Sequence, residues 1–467
     1  KAGDQEFWGK VYEYPVYPIQ RIRDRDESGE LQVSYIFRKH HAGGHDDFQI
    51  GGDVLGGSAV SSYLGSVGLL VAPDKRKSMT SLLIDILKEG EATIEETNVA
   101  NNLGWDSDHK NFLLGNKLYK PTGDVIEVTP KGKAQLFSAH TVPKGDLESW
   151  KEIANVYNKP GLEWAQVVIG TAFASPLMSM GGLEQAALLF VTGEKGVGKS
   201  TALQIALSVY GDPLNLMINK NDTALARYYK LGVLNSISAT FDEMTDLSPK
   251  EASELAYQIT QGRGKDRMGD MGKTMQQNTT KWSCLPVMSA NDSIISALAE
   301  HSRDATAQMS RVLEVEATNF ADYYAPHEIP EFQRKVRQMP KHYGVAGDIY
   351  ARYVVTNQES IEDQIIKIER IFVEETRLTN SYRFWSYMCT RIIVGCAIAK
   401  KLGLIDYDIK RIFAYLKQIV FKSLSSIGKY EWKPDSVLSD YLNAHIANRI
   451  DVVSADRPAD LGDDFDK

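Results

Sequence analysis

Cysteine is nearly missing from this chain. Cys284, Cys389 and Cys396 are the only three in 467 residues. They are widely spaced and each lies in apolar sequence, which argues against a disulfide framework or a cysteine-built zinc site and fits a reducing, cytoplasmic compartment. An excess of basic charge is missing too. The formal net charge is -8, so any contact with nucleic acid has to come from a local patch rather than a global field. No apolar run is long enough to span a bilayer and no signal peptide opens the chain, so no membrane partner is expected. The sequence starts at Lys1 without a methionine. A piece of a longer polypeptide, with a further activity encoded upstream, is the expectation.

What the chain does have is concentrated between residues 188 and 209. Leu188, Leu189, Phe190 and Val191 form a short apolar run of buried-strand type. Gly193, Glu194, Lys195, Gly196, Val197, Gly198, Lys199 and Ser200 then read G-x-x-x-x-G-K-S, and from Thr201 the spacing of Ala202, Ile205, Ala206 and Val209 is helical. This is the pattern of a phosphate-binding loop. Backbone N–H groups must close around phosphate oxygens, and Gly196 and Gly198 tolerate the positive φ angles such a nest requires. Lys199 brings positive charge to the β- and γ-phosphates of ATP, and the Ser200 hydroxyl is a ligand for Mg²⁺ at the positive end of a helix.

Ahead of this loop, residues 11–22 and 31–37 are strand-like around a charged turn at 24–30. His40, His41, His45, Asp46 and Asp47 sit among glycines without a metal-ligand spacing and read as a solvated loop. Residues 58–71 and 78–88 read as helices, joined by the basic turn Asp74-Lys75-Arg76-Lys77, which is either solvated or in touch with phosphate. A second β region runs from Gly104 and Trp105 to about Val128. From Asp146, a capping residue, Leu147, Trp150, Ile153 and Tyr157 share one helix face. Pro160 and Gly161 break the run, and a second helix over 162–178 leads into the phosphate loop. These two helices read as a collar beneath a nucleotide domain.

Beyond the loop, 214–218 is expected as the next strand and 223–231 as a helix. Residues 236–241 are apolar and β-prone and end in Asp242 and Glu243. A buried strand delivers Asp242 to the Mg²⁺ shell, and Glu243 beside it is placed to polarise an attacking water. The short stretch between Lys199 and Asp242 leaves room for one helix–strand–helix excursion.

That arrangement resembles the AAA+ superfamily, and within it the superfamily III helicases. The resemblance implies an α/β fold: an AAA+ P-loop core with a parallel sheet at 183–325, preceded by a small α+β domain at 1–130 and the helical collar at 131–182. A helical C-terminal region at 326–455 and an acidic tail at 456–467 follow. It also implies a hairpin between the acidic strand and the next one, where Gly262, Gly264, Gly269 and Gly272 break helical order. Lys265, Arg267 and Lys273 put positive charge on that excursion and would touch the DNA backbone in a central channel. Residues 282–289 read as the following strand, and Asn291 at its tip matches the superfamily's γ-phosphate sensor. Arg311, ahead of a strand at 312–315, best matches the arginine that acts on a neighbouring subunit's nucleotide, with Arg303 as competitor.

A closer resemblance is to the phage and prophage proteins of domain-of-unknown-function family 927. It rests on Leu103-Gly104-Trp105, on Phe173-Ala174-Ser175-Pro176-Leu177, on the run from Gly198 to Leu203, and on Ser208-Val209-Tyr210-Gly211-Asp212-Pro213. It implies an ATP-driven DNA helicase, a homo-oligomer of six subunits, that moves on single-stranded DNA in replication, with an upstream primase. Ile361, Ile365, Ile368 and Phe372 form one helical stripe in the C-terminal region. The tail, rich in aspartate with Phe465 near its end, is either a solubilising end or a dock for a replication partner such as a DNA polymerase. Two other readings stay open. One is an NTPase switch acting on protein partners. The other is a small-molecule phosphotransferase, which Glu243 beside Asp242 disfavours because it prepares water as the acceptor.

Overall fold

The structure is a computed structural model, and it describes residues 11–25, 31–90, 94–98, 102–106, 108–128, 130, 132–181, 187–245, 248–264, 267–268, 275–276, 281–301 and 306–427. Among the described residues, the buried apolar side chains form two separate cores.

The first core belongs to the N-terminal unit. Strands β1 (Val16–Arg25), β2 (Leu31–His41), β3 (Gly44–Gly51) and β4 (Glu95–Asn98) form a sheet in the order β3-β2-β1-β4. Phe37 and Phe48 lie opposite each other, stacked 5.7 Å apart, under Leu55, Leu64, Met79 and Leu83 from the helices α1 (Gly52–Leu55), α2 (Val60–Ser66) and α3 (Arg76–Gly90). The histidines read as a loop are instead paired across β2 and β3: His40 faces His45, Lys39 faces Asp46, and Arg38 faces Asp47 with bonds of 2.8 and 2.9 Å. Only Ala42 and Gly43 form the turn. Cross-strand charge pairing keeps the ladder going where glycine content suggests a loop. Among the described residues no group of three or more His, Cys, Asp or Glu side chains could hold a metal.

The second sheet is a meander of β5 (Gly104–Trp105), β6 (Phe112–Leu114), β7 (Lys117–Tyr119) and β8 (Val125–Glu127). The sequence groups it with the N-terminal domain, yet its side chains share the larger core. The Leu103 amide donates to Val233 O at 2.9 Å, the Trp105 amide to Ser236 Oγ at 2.8 Å, and Trp105 Nε1 to Pro176 O at 2.8 Å. Gly104 sits so close that a Cβ there would lie 2.0 Å from Ser236 Oγ.

Then α4 (Gly132–Ser138) and the two collar helices follow, α5 (Leu147–Ala154) and α6 (Glu163–Ala174). Asp146 caps α5 by accepting the Ser149 amide. Every residue of α6 after Glu163 is buried, so this helix lies inside the molecule rather than on a rim.

The central sheet has the order β10-β11-β14-β9-β15 and all its pairs are parallel. Its strands are β9 (Leu188–Thr192), β10 (Ile218–Asn219), β11 (Thr240–Asp242), β14 (Val287–Ser289) and β15 (Val312–Glu316). Strand β9 is buried along its whole length, as expected for a parallel sheet covered on both faces. Crossover segments carry α7 (Lys199–Ser208), α8 (Pro213–Leu216), α9 (Ala224–Leu234), α10 (Pro249–Thr260), α11 (Ile294–His301) and α12 (Thr306–Met309). The strand expected at 214–218 is displaced. Asp212 accepts the Leu214 amide at 3.0 Å and Pro213 takes the first helical position, so the segment starts as α8 and only Ile218 and Asn219 reach the sheet. Between β11 and β14 a two-stranded hairpin, β12 (Arg267–Met268) with β13 (Met275–Gln276), stands apart from the main sheet.

The C-terminal part is helical: α13 (Ile329–Val336), α14 (Val345–Thr356), α15 (Gln358–Thr376), α16 (Arg383–Lys401) and α17 (Ile409–Ile427). Ile361, Ile365 and Phe372 of α15 are buried, as their shared stripe demands. Among the described residues no helix is long and apolar enough to cross a membrane. The acidic tail at 456–467 lies outside the described residues.

Candidate nucleotide site

In a parallel α/β sheet the loops at the carboxyl ends of neighbouring strands face one crevice, and ligands sit there. Here three adjacent strand tips meet: the loop after β9, the end of β11 and the end of β14. The chain turns from β9 into α7 through Gly198, whose φ of 104° caps the helix in a left-handed conformation; a Cβ at this position would meet Tyr157 Oη at 2.7 Å. The first amides of α7, which have no helical acceptor, point out of the helix toward this crevice. Glu194, Lys195, Gly196 and Ser200 are exposed, Gly193, Gly198, Lys199 and Thr201 half-buried, and Val197 is buried beneath the loop.

Lys199 Nζ donates to Gly193 O, to Glu194 O at 2.9 Å and to Asn291 Oδ1 at 3.2 Å. Partial burial lowers its pKa, against the pull of Asp242. Asp242 Oδ1 is the busiest atom of the site. It accepts from Ser200 Oγ at 3.1 Å, from Ser289 Oγ at 2.8 Å and from the Glu243 amide at 3.0 Å. Glu243 is exposed and has a φ of 56°, a backbone conformation uncommon for any residue but glycine. The structure thus brings Lys199, Ser200, Asp242 and Asn291 to adjacent strand tips as two hydrogen-bonded pairs, Lys199 with Asn291 and Ser200 with Asp242, with Glu243 next to Asp242. Ser289 and Tyr157 belong to the same constellation and escape the sequence reading. A serine inside an apolar strand and a tyrosine on an apolar helix face both look like packing.

Other sequence candidates lie elsewhere. Arg311 precedes β15 at the opposite end of the sheet, where Val312 pairs with the first residue of β9. Its guanidinium lies 5.3 Å from the Tyr257 ring and 5.4 Å from that of Phe384. Within one chain it is not near Lys199. Arg303, Lys265 and Lys273 fall outside the described residues, and Arg267 is described only as backbone of β12. The root of that hairpin is anchored. Arg263 bridges to Lys281, both exposed, the Trp282 amide donates to Gly262 O at 2.9 Å, and Trp282 stacks on Tyr228 with ring centroids 6.1 Å apart.

Comparison with known proteins fits this layout. The family described as "Domain of unknown function (DUF927)" matches residues 20–279, more than half of the chain. No curated protein matches. Among solved structures, one described as "SCCmec type IV Cch - active helicase" aligns with a TM-score of 0.69 at 16% identity, over 97% of this chain and 83% of that one. The mixed α/β fold is therefore one found in a helicase. The A form apo structure of the NrS-1 C terminal region aligns over 87% of this chain and 91% of that one, at 10% identity and a TM-score of only 0.30.

Proposed function

The chain belongs to the DUF927 family, and from that premise we propose that it is an ATP-driven DNA helicase. The observation that carries the reading is the convergence of Lys199, Ser200, Asp242 and Asn291 at three adjacent strand tips, with a hairpin inserted between two of those strands. Lysine and loop amides suit the phosphates of ATP. The hydroxyl of Ser200 and the carboxylate of Asp242, 3.1 Å apart, are the hard oxygen donors that suit Mg²⁺. When bound, the ion supplies neutralisation of phosphate charge. Glu243 accepts a proton from water as it attacks, and Asn291 hydrogen-bonds the γ-phosphate. The residues holding the loop are Gly193, Glu194, Lys195, Gly196, Val197, Gly198, Lys199, Ser200 and Thr201.

The finer reading is an AAA+ motor of superfamily III type, phage-derived and replicative. It assembles as a hexamer in which Arg311, or else Arg303, reaches a neighbouring subunit's γ-phosphate. Held between two aromatic rings at the far end of β15, Arg311 is remote from its own site and is better suited to act in trans. Lys265, Arg267 and Lys273 on the hairpin grip single-stranded DNA. A fused primase upstream and a DNA polymerase bound by the tail complete the reading. The fold shared with a protein described as an active helicase supports the helicase part of this reading.

The test is the ATPase rate with and without single-stranded DNA, for the parent and for the triple Lys265→Ala, Arg267→Ala, Lys273→Ala variant, with particle mass measured on the same samples. The expected result is stimulation by DNA in the parent, loss of that stimulation in the variant, and a mass of six subunits. An active, assembled parent whose rate ignores DNA overturns the helicase reading in favour of a switch acting on protein partners.

A further inference from the structure

Accepting Asp242 and Glu243 as the metal-side and water-side carboxylates, we infer that Ser289 is the positioning residue for both, fixing the rotation of one and the backbone of the other through a single hydroxyl. Ser289 ends β14 and is 1% exposed. Burial alone does not force such a hydroxyl into a bond in this protein. Ser238, 2% exposed on the approach to β11, has no hydrogen-bond partner among the described residues. The Ser289 hydroxyl instead donates to Asp242 Oδ1 at 2.8 Å and accepts the Glu243 amide at 3.3 Å. The Ser289 carbonyl accepts the Met244 amide at 2.8 Å.

The place in the sheet explains why a side chain is needed. The register of β11 against β14 ends at Phe241 opposite Met288. One residue further on, at the site itself, Ser289 continues the connection by side chain and main chain together. Glu243 sits there at φ 56°, a conformation kept only where the surroundings over-determine it. Its amide is held by Asp242 Oδ1 and Ser289 Oγ jointly. Three donors, Ser200 Oγ, Ser289 Oγ and the Glu243 amide, converge on Oδ1 of Asp242. With Mg²⁺ at the site, Ser200 would offer a lone pair to the ion and its O–H would still be free to donate to Asp242; Ser289 would be the second side-chain donor that keeps Asp242 from rotating. Ser289 is buried and acts through its two neighbours, Asp242 and Glu243.

The experiment uses the full chain and compares the parent with Ser289→Ala, Ser289→Thr, Ser289→Cys and Asp242→Ala. ATP hydrolysis is titrated with Mg²⁺ at saturating ATP, and a fluorescent ATP analogue is titrated in EDTA. Loss of a partner that orients a metal-site carboxylate costs about 10- to 100-fold in metal affinity or activity. Ser289→Ala should raise the half-saturating Mg²⁺ concentration and lower kcat within that range, leave metal-free nucleotide affinity as in the parent, and be rescued by Ser289→Thr. An alanine variant that titrates with Mg²⁺ like the parent while Asp242→Ala is inactive overturns the inference and leaves Ser289 as packing. Should the alanine variant fail to fold, Ser289→Cys, close in size but a weak donor, decides the question: a parent-like Mg²⁺ titration overturns the inference and a shifted one supports it. Full activity in Asp242→Ala overturns the reading of the site on which the inference rests.

Discussion

The Tyr157 hydroxyl donates a 3.1 Å hydrogen bond to the carbonyl of Gly198, the residue that turns the chain into α7. A collar residue therefore braces the phosphate loop from behind, with its ring edge-on to Trp164 and Phe332. Removing the hydroxyl in Tyr157→Phe costs about 0.5–1.5 kcal/mol of stability. It also loosens the loop, so KM for ATP rises more than kcat falls. Chemical denaturation and ATP titration of the two proteins check both parts.

Binding and hydrolysis should separate at neighbouring positions. On the proposed reading of the site, Lys199→Ala removes the cation meant for the phosphates and should abolish nucleotide binding and turnover together. Glu243→Gln leaves the loop, Ser200 and Asp242 in place and removes only the proton acceptor, a change worth about 10²- to 10⁴-fold in rate. Retained binding of ATP with lost hydrolysis in the second variant, against loss of both in the first, is the expected pattern in equilibrium binding and phosphate-release assays.

Glu314 gives the stability a pH signature. From β15 its Oε2 accepts from Ser293 Oγ at 3.0 Å and from the amides of Ile294 and Ile295 at 2.9 and 3.3 Å, capping α11 just beyond Asn291. Burial nevertheless holds its carboxyl above the ordinary value of 4.5. The folded state binds this proton more tightly than the unfolded chain. The contribution of Glu314 to stability is thus complete below the unfolded value and declines as pH rises through the raised folded one. Glu314→Gln keeps an oxygen acceptor and has no proton to lose, so it should gain melting temperature relative to the parent as pH climbs from 4 to 8.

Gly104→Ala tests how the second sheet is fastened. The new Cβ meets Ser236 Oγ at 2.0 Å, at a residue with φ of 77°. Overpacking and the left-handed backbone together cost about 2–4 kcal/mol. Adding Ser236→Gly clears the hydroxyl contact but not the backbone term, and it also takes away the acceptor of the Trp105 amide, so thermal melts should show the double variant less destabilised than the sum of the two single variants.

Much of this fold can be read from the sequence where backbone geometry dictates residue type. The loop after β9 needs glycine and follows an apolar strand, and both that strand and the helix at Lys199 lie where the pattern puts them; of the apolar run expected as a strand at 236–241 only Thr240 and Phe241 join the sheet, with Asp242. The pattern fails where a few side-chain contacts outweigh it. Asp212 with Pro213 starts a helix inside an apolar stretch, and the pairs around His40 and Asp47 continue a ladder across glycines. Four strands of two or three residues, β5 to β8, carry too little periodicity to reveal which core they join. Ser289 has no spacing signature at all, because its importance comes from a neighbouring strand that is distant in sequence.

Helix α6 has one more consequence. Its Gly170 leaves room for Cys396 of α16, where a Cβ would come within 2.6 Å of the sulfur, and Gly395 of α16 lies equally tight against the backbone of Phe173. Two helices seated backbone to backbone cannot slide or roll without a clash. Tyr350 Oη, 2.7 Å from Phe173 O, ties α14 to the same spot. The sheet and the C-terminal helices therefore share one keel. Any relative movement of parts of this chain has to be accommodated outside this joint.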